Sequence, residues 1–558
     1  MRCVCCHKEK ALMIKKHSTL TVIFAVLFVI LLAAAIILWP TIFGGDGDNT
    51  ITINAVEGEH ILIGSADIAV RDILSGNVSD EIKSLVSLKD DGTLSAPRYT
   101  RQLIFEKVDR ENIQALEVSN EHGSYKIFRN AADNFELEGF PGLIFDDMVF
   151  SYLVVAAGHT EVQLKMTDDA TEADYAEYGL DKPIAHWTIT TISGDRHTVY
   201  IGSNLLTDGG YYVQYEGRDS IYILNNTMQY ALLQPAETLI TPLLTAGMTQ
   251  NDYFYATNFT IWKNEELFLR IANVPTEEMS DPNAIVETEM VYPKGYKPHD
   301  NNYFEMLYGM IALQGTQTVK VGADDATLDE YGLLHPTYSV YYQFGNMEFY
   351  LRFSEKQADG TYYAASNLSD FKIIVKIDAS SVSWLENPLF FWVAEYPFNV
   401  AITKIASMDV KAEGLDISFA LHHGKDAEGN NSLAVTADVK AAKETAPSVI
   451  EIGEEDSYTF RQFYRTLLSI ALQEYTPLSD EEKSALTADE DKLLLSFSYT
   501  TVDGDTVEYK FYQYTTRHAF VTVNGHGEFY TFVDLLTKTA SDAEKLLKGI
   551  DIDSYAKN

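Results

Sequence analysis

Tyr178-Gly179-Leu180-Asp181-Lys182-Pro183 returns as Tyr331-Gly332-Leu333-Leu334-His335-Pro336, 153 residues further along the chain. Upstream, Asp168-Asp169-Ala170-Thr171 reads as the partner of Asp324-Asp325-Ala326-Thr327. Downstream, Tyr211-Tyr212-Val213 reads as the partner of Tyr362-Tyr363-Ala364. A period of about 150 residues is too long for a solenoid unit and reads as tandem domains of one fold. Thr171 with Asp174, and Thr327 with Glu330, have the spacing of a capping box at a helix start. Gly179 and Gly332 fall where a short helix needs a left-handed residue to stop. Leu180 and Leu333 then drop into a core, and Pro183 and Pro336 set an extended lead into the next strand. Tyr178, Gly179, Leu180, Pro183, Tyr331, Gly332, Leu333 and Pro336 are thus read as a structural motif. Metal ligation by the two Asp-Asp pairs competes with that reading, but capping accounts for the same acids.

Far upstream, Leu20 to Leu38 is an apolar run broken only by Thr21 and followed by Trp39 and Pro40. It approaches the roughly 20 residues needed to cross hydrocarbon. Five bases and one acid precede residue 41, so the positive-inside rule puts the N-terminus in the cytoplasm and the bulk outside. A cleaved signal peptide is the alternative, but Ala33-Ala34-Ala35 lies within the apolar run rather than after it. Cys3, Cys5 and Cys6 are the only cysteines and all precede the run, so no disulfide framework is expected beyond it. Met13-Ile14-Lys15-Lys16 also resembles an ordinary start, which would place those cysteines outside the translated chain.

Of the 42 basic and 81 acidic residues, 37 and 80 lie beyond residue 40, a balance of −43. That field excludes nucleic acid as a partner and argues against direct binding to a lipid surface. A hydrophobic content of 46%, with 34 Tyr and 28 Phe, points to packed domains rather than an acidic stalk.

The fold class expected is α+β: tandem repeated modules of antiparallel β-sheet with packed helices, after one N-terminal transmembrane helix. The division runs as residues 1–19 in the cytoplasm and 20–39 in the membrane. Residues 40–107 form a linker and membrane-proximal region that includes a helix from Val70 to Val86. Modules then follow at 108–248, 249–398 and, diverged, 399–558. The expected module order is an opening hairpin, a helix (Asp146 to Ala157, Tyr303 to Gln314, Phe460 to Gln473), then a run of strands. An exit helix is expected from Trp384. Ile470-Ala471-Leu472-Gln473 repeats Ile311-Ala312-Leu313-Gln314, but the Tyr-Gly-Leu signature is missing from the third unit.

Tyr178-Gly179-Leu180-x-x-Pro183, Tyr200-Ile201-Gly202 and Gly210-Tyr211-Tyr212-Val213, with Ile221-Tyr222-Ile223-Leu224, resemble the bacterial domain of unknown function 4340 family (DUF4340). The resemblance covers roughly residues 100–400. It implies no catalytic residue and no cofactor, and it suggests ABC-type transporter subunits as partners. The motifs of serine hydrolases, zinc proteases, P-loops and dinucleotide folds are not found. His422-His423 reads as a solvated turn, and the Tyr-Tyr pairs read as sheet packing ahead of sugar stacking. The function expected is a non-enzymatic, membrane-anchored extracytoplasmic accessory or scaffold protein. The alternative is an extracytoplasmic glycan- or wall-binding module, with or without hydrolytic activity.

Overall fold

The computed structural model describes residues 49–206, 209–225, 231–247, 256–274, 287–425, 428–443, 447–453 and 457–553. The chain divides into two compact units. One comprises residues up to Gly142 together with Asp147–Pro235, and the other comprises Leu143–Asp146 with Ala236 onward.

The first unit opens with two three-stranded antiparallel sheets, one of Thr50–Ile53, Leu94–Pro97 and Ser87–Leu88, the other of Ala66–Ala69, His60–Ile63 and Arg101–Leu103. Ile53, Ile61, Val70, Val86 and Leu94 form their small core. The helix expected from Val70 to Val86 is instead two, Val70–Leu74 and Asp80–Leu85. Gly76 at φ +71° ends the first, and Ser79 restarts the second by accepting from the Ile82 amide at 3.3 Å.

An eight-stranded sheet follows. Its elements are β1 (Ile113–Asn120), β2 (Gly123–Arg129), β3 (Phe135–Leu137), α1 (Asp147–Gly158), β4 (Leu164–Thr167), α2 (Glu172–Glu177), β5 (Ala185–Thr191), β6 (Arg196–Asn204), β7 (Tyr211–Tyr215) and β8 (Ile221–Leu224). The strand order is β3-β2-β1-β5-β6-β7-β8-β4, and every pairing is antiparallel. Alternation along β1 and β5 buries Leu116, Val118, Trp187 and Ile189. Helix α1 covers that face, with the Trp187 indole donating to the Ala157 carbonyl at 3.2 Å.

The second unit holds two more eight-stranded sheets. The first of these runs β9 (Ala256–Lys263), β10 (Glu266–Val274), β11 (Glu287–Tyr292), α3 (Asp300–Gly309), β12 (Gln317–Val321), α4 (Asp325–Glu330), β13 (Tyr338–Phe344), β14 (Met347–Phe353), β15 (Thr361–Ser366) and β16 (Ile373–Asp378). Its order, β11-β10-β9-β13-β14-β15-β16-β12, matches the first sheet position for position.

The third sheet is built from β17 (Ile405–Ala412), β18 (Leu415–Lys425), β19 (Asn431–Ala441), β20 (Val449–Ile452), α5 (Ser457–Leu468), α6 (Asp480–Ala488), β21 (Leu493–Thr501), β22 (Thr506–Gln513), β23 (His518–Val523), β24 (His526–Phe532) and α7 (Val533–Leu547). Its order is β20-β19-β18-β17-β21-β22-β23-β24. Here the fourth strand precedes the long helix and stays on the near edge, whereas β4 and β12 follow their helices and cross to the far edge. A single bridge, Gln473 to Tyr530, occupies the far edge of the third sheet.

The second and third sheets share a locked joint. Phe398 is buried among Tyr464, Phe497 and Tyr499, with ring centroids 5.1–5.4 Å away. The Tyr296 hydroxyl accepts from the Glu528 amide at 2.7 Å.

The chain is thus α+β with antiparallel sheets. Several local expectations need correction. Helix α3 ends at Gly309 rather than Gln314, with Ala312 left-handed at φ +48°. Helix α5 likewise ends at Leu468 rather than Gln473. Trp384 lies inside a 3₁₀ segment, Ala379–Leu385, and starts no helix. The expected transmembrane run at 20–39, the three cysteines and Met13 lie outside the described residues. Among the described residues no helix is long and apolar enough to cross a membrane.

Candidate functional site

The repeated motif ends two short helices. In α2, Thr171 Oγ1 accepts from the Asp174 amide at 3.4 Å, while Asp174 Oδ2 accepts from the Thr171 amide at 2.7 Å, a reciprocal capping box. In α4 the cap is Asp324, whose Oδ1 accepts from the Thr327 amide at 2.9 Å. Thr327 is therefore a first-turn residue, and the expected Thr327–Glu330 box gives way to an Asp324 cap. Thr171 and Asp324 each precede by the same interval the tyrosine, Tyr178 or Tyr331, that closes the helix. Asp324, not Thr327, is thus the counterpart of Thr171, three residues from the register in which the two Asp-Asp-Ala-Thr stretches align.

Gly179 at φ +71° and Gly332 at φ +68° take the left-handed conformation after each helix. Leu180 and Leu333 donate backward to the Tyr175 and Leu328 carbonyls, both at 2.7 Å, and their side chains are buried. Tyr178 packs on Tyr212 at 4.4 Å and Tyr331 on Tyr363 at 4.8 Å. Pro183 and Pro336 stand two residues before β5 and β13. Helix α6 keeps the capping box, as Ser479 with Glu482, but no glycine follows and it runs on to Ala488. In all three helices the capping acid is held below the usual carboxylate range. The Thr171 amide does this for Asp174, the Thr327 hydroxyl for Asp324 and the Ser479 amide for Glu482.

A second constellation has no counterpart in the sequence reading. Glu59 is fully buried. Its Oε1 lies 2.7 Å from Lys165 Nζ and accepts from the Tyr222 hydroxyl at 2.7 Å. Its Oε2 accepts from Gln102 Nε2 at 2.6 Å and the Val56 amide at 3.0 Å. Lys165 also lies 3.0 Å from Asp168, which takes a further hydrogen bond from Asn54 at 2.9 Å. Burial, with Glu59 beside it, pushes the Tyr222 phenol up. Close by, the Arg218 guanidinium donates to the Ile104 and Gly58 carbonyls and lies 4.2 Å from the Tyr215 ring centre. These bonds join residues 54–104 to the first sheet. A buried carboxylate that accepts three hydrogen bonds and faces the Lys165 ammonium is built to hold surfaces together rather than to turn over a substrate.

Elsewhere, Asp542 on α7 is buried and accepts from Thr466 Oγ1 at 3.0 Å and from Lys538, with Lys545 at 3.1 Å. A cleft of about 1280 Å³ opens beside α7, lined by Lys411, Lys443, Lys510, Tyr512, Thr537 and Glu544. Its lysines are paired, Lys411 with Asp416 at 3.2 Å, Lys443 with Glu544 at 3.8 Å and Lys510 with Glu508 at 2.9 Å. His422 and His423 lie within β18, not in a turn. His422 contacts Thr436 at 3.1 Å and His423 the Ile405 carbonyl at 2.7 Å. In each Tyr-Tyr pair one member is buried, namely Tyr211, Tyr342 and Tyr362. Among the described residues no group of three or more His, Cys, Asp or Glu could hold a metal ion.

Residues 156–302 match the model of the family described as "Domain of unknown function (DUF4340)". The resemblance read from the motifs is shown over that segment. The DUF4340 match begins within α1 and ends within α3, so it takes in β4 to β8 of the first sheet and the opening strands of the second. No curated protein and no solved structure matches the chain.

Proposed function

We propose that this chain is a membrane-anchored extracytoplasmic accessory or scaffold protein of a cell-envelope complex, working with an ABC-type transporter and performing no catalysis of its own. On this reading its three eight-stranded sheets are copies of one module, the third diverged at its fourth strand. The observation that carries it is the strand order, identical in the first two sheets and kept through seven strands of the third. Serial copies of one sheet multiply surface for partners. The apolar run before the described residues supplies the anchor, and the balance of −43 suits a soluble body outside the membrane.

The test has two arms. Protease added to intact, wall-stripped cells should digest the bulk while a cytoplasmic control survives. Purification in mild detergent should recover transporter subunits. Survival of the bulk alongside the control overturns the orientation. The polar cleft beside α7 favours the second reading, a glycan- or wall-binding module. Glycan binding by the purified protein, with no transporter subunit recovered, would reverse the ranking.

A further inference from the structure

Three aromatic side chains stand open at one end of the third sheet. Tyr475 is 42% exposed, Tyr514 40% and Phe532 42%. They are not scattered. Tyr475 stacks on the His518 imidazole, with ring centres 4.5 Å apart and planes 21° from parallel, and Phe532 lies 5.5 Å from the same imidazole. The buried Tyr530 ring is the floor, 5.2 Å from Tyr475 and 5.4 Å from Tyr514, and its hydroxyl donates to the Thr476 carbonyl at 2.9 Å. Topology explains why these rings are open. In the first two sheets the strand after the long helix, β4 or β12, covers the far edge. Here Gln473 alone bridges to Tyr530, and Pro477, with no amide to donate, cannot extend the pairing. The matching turn of the second sheet, residues 354–360 between β14 and β15, contains no aromatic residue.

We propose that this ring cluster is a carbohydrate-binding platform, on which a neutral oligosaccharide lays the C–H faces of its sugar rings. Three observations choose that ligand. The first is local charge. Segments 473–477 and 514–518 together contain one acid, Glu474, and one base, Arg517. Nearby Glu482 is engaged in the α6 cap and Glu528 with Lys483 at 2.7 Å. The second is the sheet edge. The Glu528 amide donates to the Tyr296 hydroxyl, and both backbone groups of Tyr530 bond to Gln473, so an added peptide strand finds these groups taken. The third is the kind of apolar surface. Neither segment contains Leu, Ile or Val, the side chains an acyl chain or apolar helix would meet. Ring faces are electron-rich and attract polarised C–H groups, while the tyrosine hydroxyls, His518 and Arg517 supply hydrogen-bonding groups beside them. The platform also leads into the polar cleft. Tyr512 and Gln513, just before Tyr514, line that space of about 1280 Å³, and α7, which begins after Phe532, adds Thr537 and Ser541. Small-molecule pockets hold roughly 300–1,000 Å³, so this one suits a chain of several sugars. The proposal rests on the glycan-binding reading and requires neither the anchor nor the transporter.

The probes are chitohexaose, cellohexaose and maltohexaose, each titrated calorimetrically into the full-length protein in a detergent without a sugar head group. At least one should bind, and Tyr475→Ala and Tyr514→Ala should each weaken it about tenfold. Tyr475→Phe keeps the ring and the fold and should retain most of the affinity. Tyr458→Ala, which removes an exposed tyrosine from α5, should change nothing. Undiminished binding by the Tyr475→Ala, Tyr514→Ala double variant would overturn the platform and leave the glycan-binding reading standing. No binding of any hexasaccharide would overturn both. Equal losses for Tyr475→Phe and Tyr475→Ala would overturn stacking as the source of affinity. Tyr475-dependent binding of a decaproline peptide, with no sugar bound, would give the rings to a protein partner instead.

Discussion

The first and second sheets have one strand order and two different insides at the same register position. β4 puts Lys165 opposite Tyr222, whereas β12 puts Thr318 opposite Val375. Lys165 meets Glu59, supplied by the region that precedes the first sheet. Thr318 needs only the Ile240 carbonyl, to which it donates at 2.8 Å. The helix stops differ in the same way. A Cβ on Gly179 would meet Ser203 Oγ at 2.3 Å and its amide at 3.1 Å, while one on Gly332 would find only Ser354 Cβ at 3.6 Å. The repeat fixes the backbone, and each copy's neighbours decide how tightly that backbone is held.

The largest effect should come from breaking the charged position. Glu59→Ala leaves the buried Lys165 with only the partly exposed Asp168 at 3.0 Å and should cost about 3 kcal/mol, the low end for removing one partner of a buried ion pair. Hydrogen exchange on the full chain should show faster opening throughout residues 50–235, with the second and third sheets unaffected. Thr318→Ala should cost only about 1 kcal/mol. Equal costs at the two positions would mean that the Glu59 cluster contributes nothing special.

The glycines come next. At Gly332, Ala should cost about 1 kcal/mol for a left-handed backbone alone. At Gly179 the contact with Ser203 adds about 1–3 kcal/mol of overpacking. Ser203→Gly should remove the side-chain part of that excess, leaving only the amide contact at 3.1 Å, and bring Gly179→Ala nearer to Gly332→Ala. Val at either site should be worse than Ala. If both substitutions leave stability intact but abolish partner recovery, the motif is a binding site after all.

The caps should give smaller, equal effects. Thr171→Ala and Asp324→Ala should each cost about 1 kcal/mol, read as local exchange at the start of α2 and α4. Glu330→Ala should be silent, because Asp324 is the cap.

Acid should give the smallest effect and the most even one. Asp174, Asp324 and Glu482 titrate below their unfolded ranges near 3.8, 3.8 and 4.5. A depressed carboxyl stabilises the fold above its unfolded pKa, and the contribution is lost as pH falls through the lower folded value. Exchange at the three helix starts should therefore rise together as pH drops below about 4. Loosening that begins nearer neutral pH would contradict the capping geometry.

Much of the repeat was legible because its signals are local. A left-handed glycine after a short capped helix, and alternation such as Trp187-Thr188-Ile189, act within a few residues and need no distant partner. Failures came where equally local rules competed. Asp324 and Thr327 both make good caps, and the sequence match preferred the wrong one. In the third sheet β19 keeps the same alternation, with Leu433, Val435 and Ala437 inward and Asp438 and Lys440 exposed.

The sequence by itself determined the glycine stops of α2 and α4, the α+β class and the acidity of the chain beyond residue 40. Only the tertiary structure decided which side of β4 faces inward. By hydropathy Leu164 and Met166 belong inside and Lys165 outside, yet Leu164 is 54% and Met166 38% exposed while the Lys165 side chain is 5% exposed. A buried lysine needs a carboxylate beside it: Asp168, three residues on, lies at 3.0 Å but is partly exposed, and the fully buried one, Glu59, lies more than a hundred residues away in the chain. No window of sequence contains both Lys165 and Glu59, so that buried pairing, and with it the seating of the N-terminal sheets, exists only once the fold has brought them together.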